Sequence, residues 1–317
     1  MTPTTQTIFE KFEIRKSKKQ KNDFAEYVSS AASAEGYACH TEKGYFGARN
    51  IVVGNPDTAK VIYTAHYDTC AVMPFPNFIT PKCIAMYILY QALLTVVLLG
   101  LPLLVALGLG LLLQNTTAWS EEVIGKIQYY SCLALMVVEM WLLLAGPANK
   151  HTANDNTSGV TTLLDIMHAL PEELRGDVAF IFFDLEEMGL FGSAGYANKH
   201  KAVMQNTLLL NFDCVSDGRT ILFAVRPGAK KHVLAIQAAF PSTETHRVEV
   251  ASEGVFYPSD QANFHRGVGV AALKKSKHGL LYMDRIHTKR DTVYEEGNIA
   301  YLTEGAVRLA TSLHNPT

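Results

Sequence analysis

The chain has 317 residues, 48% of them hydrophobic and 18% charged, which suffices for a full-sized core and argues against a disordered or disulfide-scaffold chain. Its formal net charge of -2 gives no electrostatic reason to expect a nucleic-acid partner. Cys39, Cys70, Cys83, Cys132 and Cys214 are scattered without a C-x-x-C pair, a pattern of free thiols in a reducing compartment.

The N-terminus lacks a basic head followed by an apolar stretch and a small-residue cleavage site, so no cleavable signal peptide is visible. Arg15, Lys16, Lys18, Lys19 and Lys21 form a basic cluster ahead of the helical-looking NDFAEYVSSAASAEG. Two readings stand for it, a solvated helix face and contact with anionic lipid headgroups. Next, KVIYTAHYD is a β-branched and aromatic run that reads as a buried strand.

The largest composition shift follows. Between Cys83 and Ser120 there is no Asp, Glu, Lys or Arg, and 84–113 is almost wholly apolar. About 20 helical residues cross a ~30 Å hydrocarbon core, so this run spans with length to spare. A second run, 127–146, carries one charge, Glu139, and the connector QNTTAWSEEVIGK is short and polar. Thirty uniformly apolar residues exceed an ordinary buried helix, and neither run has the charged face of a surface-lying one. The expectation is a transmembrane hairpin over 83–146, interrupting one α/β domain made of 1–82 and 147–317. Within the second half, 157–169 and 299–313 have helical spacing, and DVAFIFFDLEE reads as a further buried strand.

Four segments place carboxylates and histidines where strands end: AHYDT (65–69), ANDNTSG (153–159), DLEEMGLFGS (184–193) with NFDCV (211–215), and RIHTKRDT (285–292). Ligands bind at strand ends in open α/β sheets, so these polar residues are expected to converge. Positions i and i+2 of an extended segment share a face, so Asp68 is placed to hydrogen-bond the ring of His66 while the other ring nitrogen takes a metal. Glu186 and Glu187 would point apart on a plain strand, and a strand-to-loop turn is needed to bring both to one site. Taken singly, H-x-D and Glu-Glu are ordinary structural or solvated patterns.

In this order the four segments resemble the clan MH metallopeptidases, which include bacterial leucyl aminopeptidases, glutamate carboxypeptidase II and the glutaminyl cyclases. The resemblance covers most of the chain outside the hairpin. It implies a mixed, mostly parallel central sheet flanked by helices and two zinc ions per chain, with His66 and Asp213 at one ion, Glu187 and His287 at the other, and Asp155 bridging both. It further implies Asp68 as the residue orienting His66, Glu186 as general acid/base, and a cis Asp155–Asn156 peptide bond. Tyr257, in FYPSDQANF, is a candidate donor to the oxyanion, although Gln261 stands where the related loop usually has His.

The expected activity is removal of N-terminal residues from peptides by a membrane-anchored zinc aminopeptidase. The alternatives are a carboxypeptidase, a glutaminyl-cyclase-like acyltransferase and a non-catalytic membrane protein of the same fold. Peptide and lipid bilayer are the expected partners, with homo-oligomerisation through the hairpin at Glu139 set against a lone protonated acid. Lys82 and Lys150 flank the hairpin on the catalytic side, which by the positive-inside bias places that domain in the cytoplasm.

Overall fold

The computed structural model describes residues 1–315. Contacts divide it into two compact units, Met1–Ile84 together with the chain from Ala148 onward, and Ala85–Pro147.

In the larger unit, helix α1 (Pro3–Lys11) precedes α2 (Lys18–Ala34). A capping box starts α2, with the Ser17 hydroxyl taking the Gln20 amide and the Gln20 side chain taking the Ser17 amide. Strands β1 (Cys39–Lys43), β2 (Arg49–Val53) and β3 (Val61–His66) follow. The smaller unit holds α3 (Ile84–Thr116, counted from its first residue) and α4 (Glu121–Ala145). The chain then continues through α5 (Gly159–Ala169), β4 (Val178–Phe183), α6 (Phe191–Lys199), α7 (Lys201–Met204), β5 (Leu208–Phe212) and β6 (Thr220–Val225). It ends with α8 (Val233–Ala239), β7 (Arg247–Ala251), β8 (Gly267–Lys275), β9 (Leu281–Tyr282) and α9 (Glu296–His314).

The strands form one nine-stranded sheet in the order β1-β2-β4-β3-β5-β8-β6-β7, with β9 pairing β8. Its centre, β4-β3-β5-β8, is parallel, and antiparallel pairing appears toward both edges. Alternation along β3 and β4 divides the core. Tyr63, Ala65, Phe180 and Phe182 pack on one face with Phe24, Val28, Leu163, Ile166 and Leu302, while Ile62, Ile181 and Phe183 pack on the other with Tyr196 and Met204. A helix-covered sheet with all-buried central strands is the α/β architecture the resemblance implies.

Parallel pairing has a direct consequence for placing chemistry. His66 at the end of β3 is in register with Phe183 at the end of β4, and β5 lies on the other side of β3. The loops opening at residues 67, 184 and 213 therefore leave one edge of the sheet side by side.

The basic cluster is divided between solvent and the interior. Lys18 and Lys19 are exposed, but Arg15 is fully buried and Lys21 forms a buried ion pair with Asp184. The Arg15 guanidinium donates to the carbonyls of Tyr67 and Phe12 and to the Thr157 hydroxyl. Charge density in sequence does not distinguish a solvated cation from one whose partners are distant backbone carbonyls.

In the smaller unit, both helices are long and apolar enough to cross a membrane, and the most apolar windows are only 17% and 0% buried. That is the reverse of a soluble core helix. Pro102, Ala106 and Gly110 form a covered stripe at helical spacing on α3, and a Cβ at Gly110 would fall 1.9 Å from the Gln128 side chain on α4. The absence of a side chain at Gly110 thus leaves room for the Gln128 side chain of α4. Helix α4 starts six residues before the apolar run because Ser120 caps it, Glu121 and Glu122 occupy its first turn, and Glu122 pairs with Lys126.

Candidate metal centre

The four carboxylate- and histidine-bearing segments meet at the carboxyl edge of β3, β4 and β5. His66 Nε2 lies 3.2 Å from Asp155 Oδ1 and 3.4 Å from Asp213 Oδ1. His287 Nε2 lies 3.1 Å from Asp155 Oδ2 and 3.1 Å from Glu187 Oε2. The two oxygens of Asp155 thus face one imidazole each, with Asp213 beside the first and Glu187 beside the second.

Each loop bends sharply to achieve this. Leu185 adopts φ 55°, which supplies the turn that brings Glu186 and Glu187 to one site, and Cys214 after Asp213 and His287 itself have φ 56° and 63°. Such left-handed conformations are costly for non-glycine residues and cluster where function demands a geometry. The Asp155–Asn156 peptide is cis, as the resemblance implies. Asn156 ties this loop to β5 by donating to the Phe212 carbonyl at 3.0 Å and accepting from the amides of Gly159 and Cys214. From below, the Asp291 carboxylate accepts the amides of Asn154 and Asp155 at 2.8 and 2.9 Å. Burial, reinforced by Asp155, pushes Asp291 up to about 8.

Asp68 sits differently from the simple i, i+2 expectation. The His66 ring Nδ1 is 3.1 Å from the Asp68 backbone carbonyl and 3.6 Å from its carboxylate, because β3 ends at His66 and the chain has turned. The carboxylate instead accepts the amides of Glu186 and Glu187 at 3.1 and 3.3 Å, so it fixes the Glu pair as well as facing the ring. Tyr257 is buried and its hydroxyl donates to the Asp213 carbonyl at 2.9 Å. Gln261 accepts from Asn211 at 3.2 Å and donates to the Tyr257 carbonyl at 2.6 Å, so it serves as a strut for the Tyr257 loop. Beyond Tyr257 opens a cleft of about 470 Å³, edged also by Leu190, Arg226, Glu253 and Phe256.

The electrostatics call for cations. Burial pulls the His66 imidazole down, but Glu186, Asp155, Asp213 and Asp68 hold it well above its ordinary value; burial likewise lowers His287, and Glu187 and Asp155 outweigh it. Burial would raise Asp155, yet His287 and His66 hold it below the usual carboxylate range. Burial raises Glu186 well above that range; nearby His66 opposes the shift, and Asp213, Glu187 and Asp260 add to it. Glu187 Oε1 and both carboxylate oxygens of Asp260 are buried without a hydrogen-bond partner among the described residues. Nitrogen lone pairs aimed at carboxylate oxygens, beside an orphaned carboxylate oxygen, fit metal ions better than a set of hydrogen bonds.

Arg15, Asp291, Asn156 and the Lys21–Asp184 pair are parts of the site that the motifs did not reveal. Asp291, Asn156 and Asp184 lie inside the quoted carboxylate- and histidine-bearing segments and Arg15 and Lys21 inside the basic cluster, so proximity to a ligand was the one available signal for the first three and none existed for the last two.

The fold and site define a class, the α/β metallopeptidases with an open sheet edge. Similar solved structures include the Legionella pneumophila LapA aminopeptidase, at 12% identity and TM-score 0.56 over 98% of this chain and 70% of that one. The Porphyromonas gingivalis glutaminyl cyclase is similar at 14% identity and TM-score 0.59, over 98% and 96%. A leucine aminopeptidase precursor from Bacteroides thetaiotaomicron is similar at 13% identity and TM-score 0.55, over 99% and 97%. These likenesses establish the fold. No curated protein matches the sequence. The model of peptidase family M28 matches residues 139–305, more than half of the chain, and the chain belongs to that family. The matched stretch contains Asp155, Glu186, Glu187, Asp213 and His287, whereas His66 and Asp68 precede it and join the site through β3.

Proposed function

We propose that this M28 peptidase is a membrane-anchored, zinc-dependent aminopeptidase with two ions per chain. The observation that carries the reading is the placement of Asp155, one carboxylate oxygen toward each of two imidazoles that each have a second carboxylate beside them. His66 and Asp213 would hold one zinc, Glu187 and His287 the other, and Asp155 both. Bound there, zinc supplies Lewis acidity toward the scissile carbonyl and lowers the pKa of water.

The chain's own residues do the rest. Glu186, half-buried and raised in pKa, takes a proton from the attacking water on one carboxylate oxygen and returns it to the leaving amine nitrogen, work worth about 10²–10⁴ in rate. Asp68 keeps Glu186 in place through its backbone amide and faces the His66 ring. Tyr257 stands beside Asp213 as the candidate oxyanion donor, and that role requires it to exchange its bond to the Asp213 carbonyl. Helices α3 and α4 would anchor the domain in a bilayer, with Lys82 and Lys150 favouring a cytoplasmic site and Glu139 available to a helix–helix contact between protomers.

A carboxypeptidase is the second reading, favoured by Arg226 at the edge of the cleft beside Tyr257. The deciding experiment combines metal analysis with amino-acid release from paired peptides, one N-acetylated and one C-amidated. Two zinc ions per chain and cleavage of the C-amidated peptide alone are expected. Cleavage of the N-acetylated peptide alone selects the carboxypeptidase, and absence of bound metal and of turnover refutes both.

A further inference from the structure

Cys70 lies in the loop after Asp68 and is 2% exposed. Its Sγ, a Glu187 carboxylate oxygen and a His287 ring nitrogen all lie within 4.8 Å of one another. The loop is pinned from two sides. The Cys70 carbonyl accepts the Asn149 amide at 3.1 Å, and the Met73 amide donates to the His287 carbonyl at 2.7 Å, tying the cysteine's loop to the histidine's. Glu187, with 6% of its side chain exposed, has one carboxylate oxygen, Oε1, buried without a hydrogen-bond partner among the described residues. A buried thiol, a carboxylate with one unpartnered oxygen and an imidazole within one ion's reach form a mixed sulfur, oxygen and nitrogen donor set.

We propose that Cys70 is a sulfur ligand of the ion held by Glu187 and His287, so that the two sites differ in kind. This rests on the dinuclear reading above. On coordination the thiol loses its proton to solvent as the sulfur–metal bond forms. The His66–Asp213 site offers nitrogen and oxygen alone, whereas the Cys70 site adds a soft donor and favours zinc, cadmium and cobalt(II) over magnesium and manganese. Cys214 provides the internal contrast, since its thiol donates to Asp213 Oδ1 at 3.1 Å on the other side of the centre.

The test uses the full chain, stripped of metal in detergent and reconstituted with cobalt(II), read by absorption. A thiolate-to-cobalt charge-transfer band in the near ultraviolet is expected with two cobalt ions bound. Cys70→Ser should lose the band while keeping the visible d–d transitions, and Cys214→Ser should keep it. Cadmium titration should show one of the two sites weakened about tenfold or more in Cys70→Ser. Two bound cobalt ions with no such band in the unmodified chain overturn the sulfur ligand and leave the dinuclear reading standing. A band that persists in Cys70→Ser and disappears in Cys214→Ser overturns it as well. Failure of the unmodified chain to bind cobalt overturns this proposal and the dinuclear reading together.

Discussion

Glu186 and Glu187 are consecutive in sequence, have their amides held by the same carboxylate of Asp68, and face different tasks. Replacing Glu187 with Ala removes an oxygen 3.1 Å from His287 Nε2, so metal content is expected to fall together with rate. Glu186→Gln keeps the size of the side chain and should retain both ions while turnover drops about 10²-fold or more. Metal analysis beside initial rates checks the pair, and near-normal turnover in Glu186→Gln would remove its role. The histidines and carboxylates were legible because the four segments in this order resemble a known family, although each motif alone is an ordinary pattern. Arg15 and Asp291 were not, because their partners are backbone groups dozens of residues away, and no pairing in sequence encodes that. Asp165, outside the quoted motifs, carries a separate prediction. Burial raises its carboxyl to about 6, against smaller opposing effects of Thr2 and His168. The folded chain then holds this proton more tightly than the unfolded one, so stability falls as pH rises from about 4 to about 6. Asp165→Asn should abolish that component, seen as a smaller loss of Tm between pH 4 and 7 than in the unmodified chain. Equal losses in the two proteins would contradict it.

At the scale of elements, the strands and helices that read most clearly were those with a single strong cause. β3, β4 and the apolar cores of α3 and α4 follow from predominantly hydrophobic runs. The start of α4 was harder, because a cap and an acidic first turn lie in a segment whose polarity reads as loop. Leu185 shows a second limit: the need for a turn before the Glu pair was readable, but its left-handed φ of 55° on a leucine was not. Helix α5 depends on a close approach. A Cβ on Gly159 would fall 2.2 Å from the Phe212 carbonyl oxygen and 2.5 Å from Asn156 Oδ1. Glycine-to-alanine in a helix ordinarily gains up to about 1 kcal/mol, but this overlap is with backbone and with the side chain that ties the Asp155 loop to β5. Gly159→Ala is therefore expected to cost about 2 kcal/mol or more and to lower metal content as well, measured by denaturant unfolding and metal analysis. A variant as stable as the unmodified chain would show that the helix start can shift freely.

At the scale of the molecule, α3 and α4 should behave as a unit distinct from the peptidase domain. The chain is expected to stay in the membrane fraction after alkaline carbonate washing, and the catalytic domain of intact cells should resist external protease. Release by carbonate would exclude spanning helices, while digestion from outside would reverse the topology. The position of this insertion also sets an order of events during synthesis. His66, Asp68 and the proposed ligand Cys70 are translated before the two apolar helices, and Asp155, Glu187, Asp213 and His287 are translated after them. At roughly 5–20 residues per second, the first imidazole waits several seconds for Asp155 and longer still for His287. Throughout that wait the nascent chain holds a histidine with none of the carboxylates that would complete its ion site. On the proposed reading, no competent peptidase exists until both membrane helices have been made, so arrival at the bilayer precedes the capacity to cut.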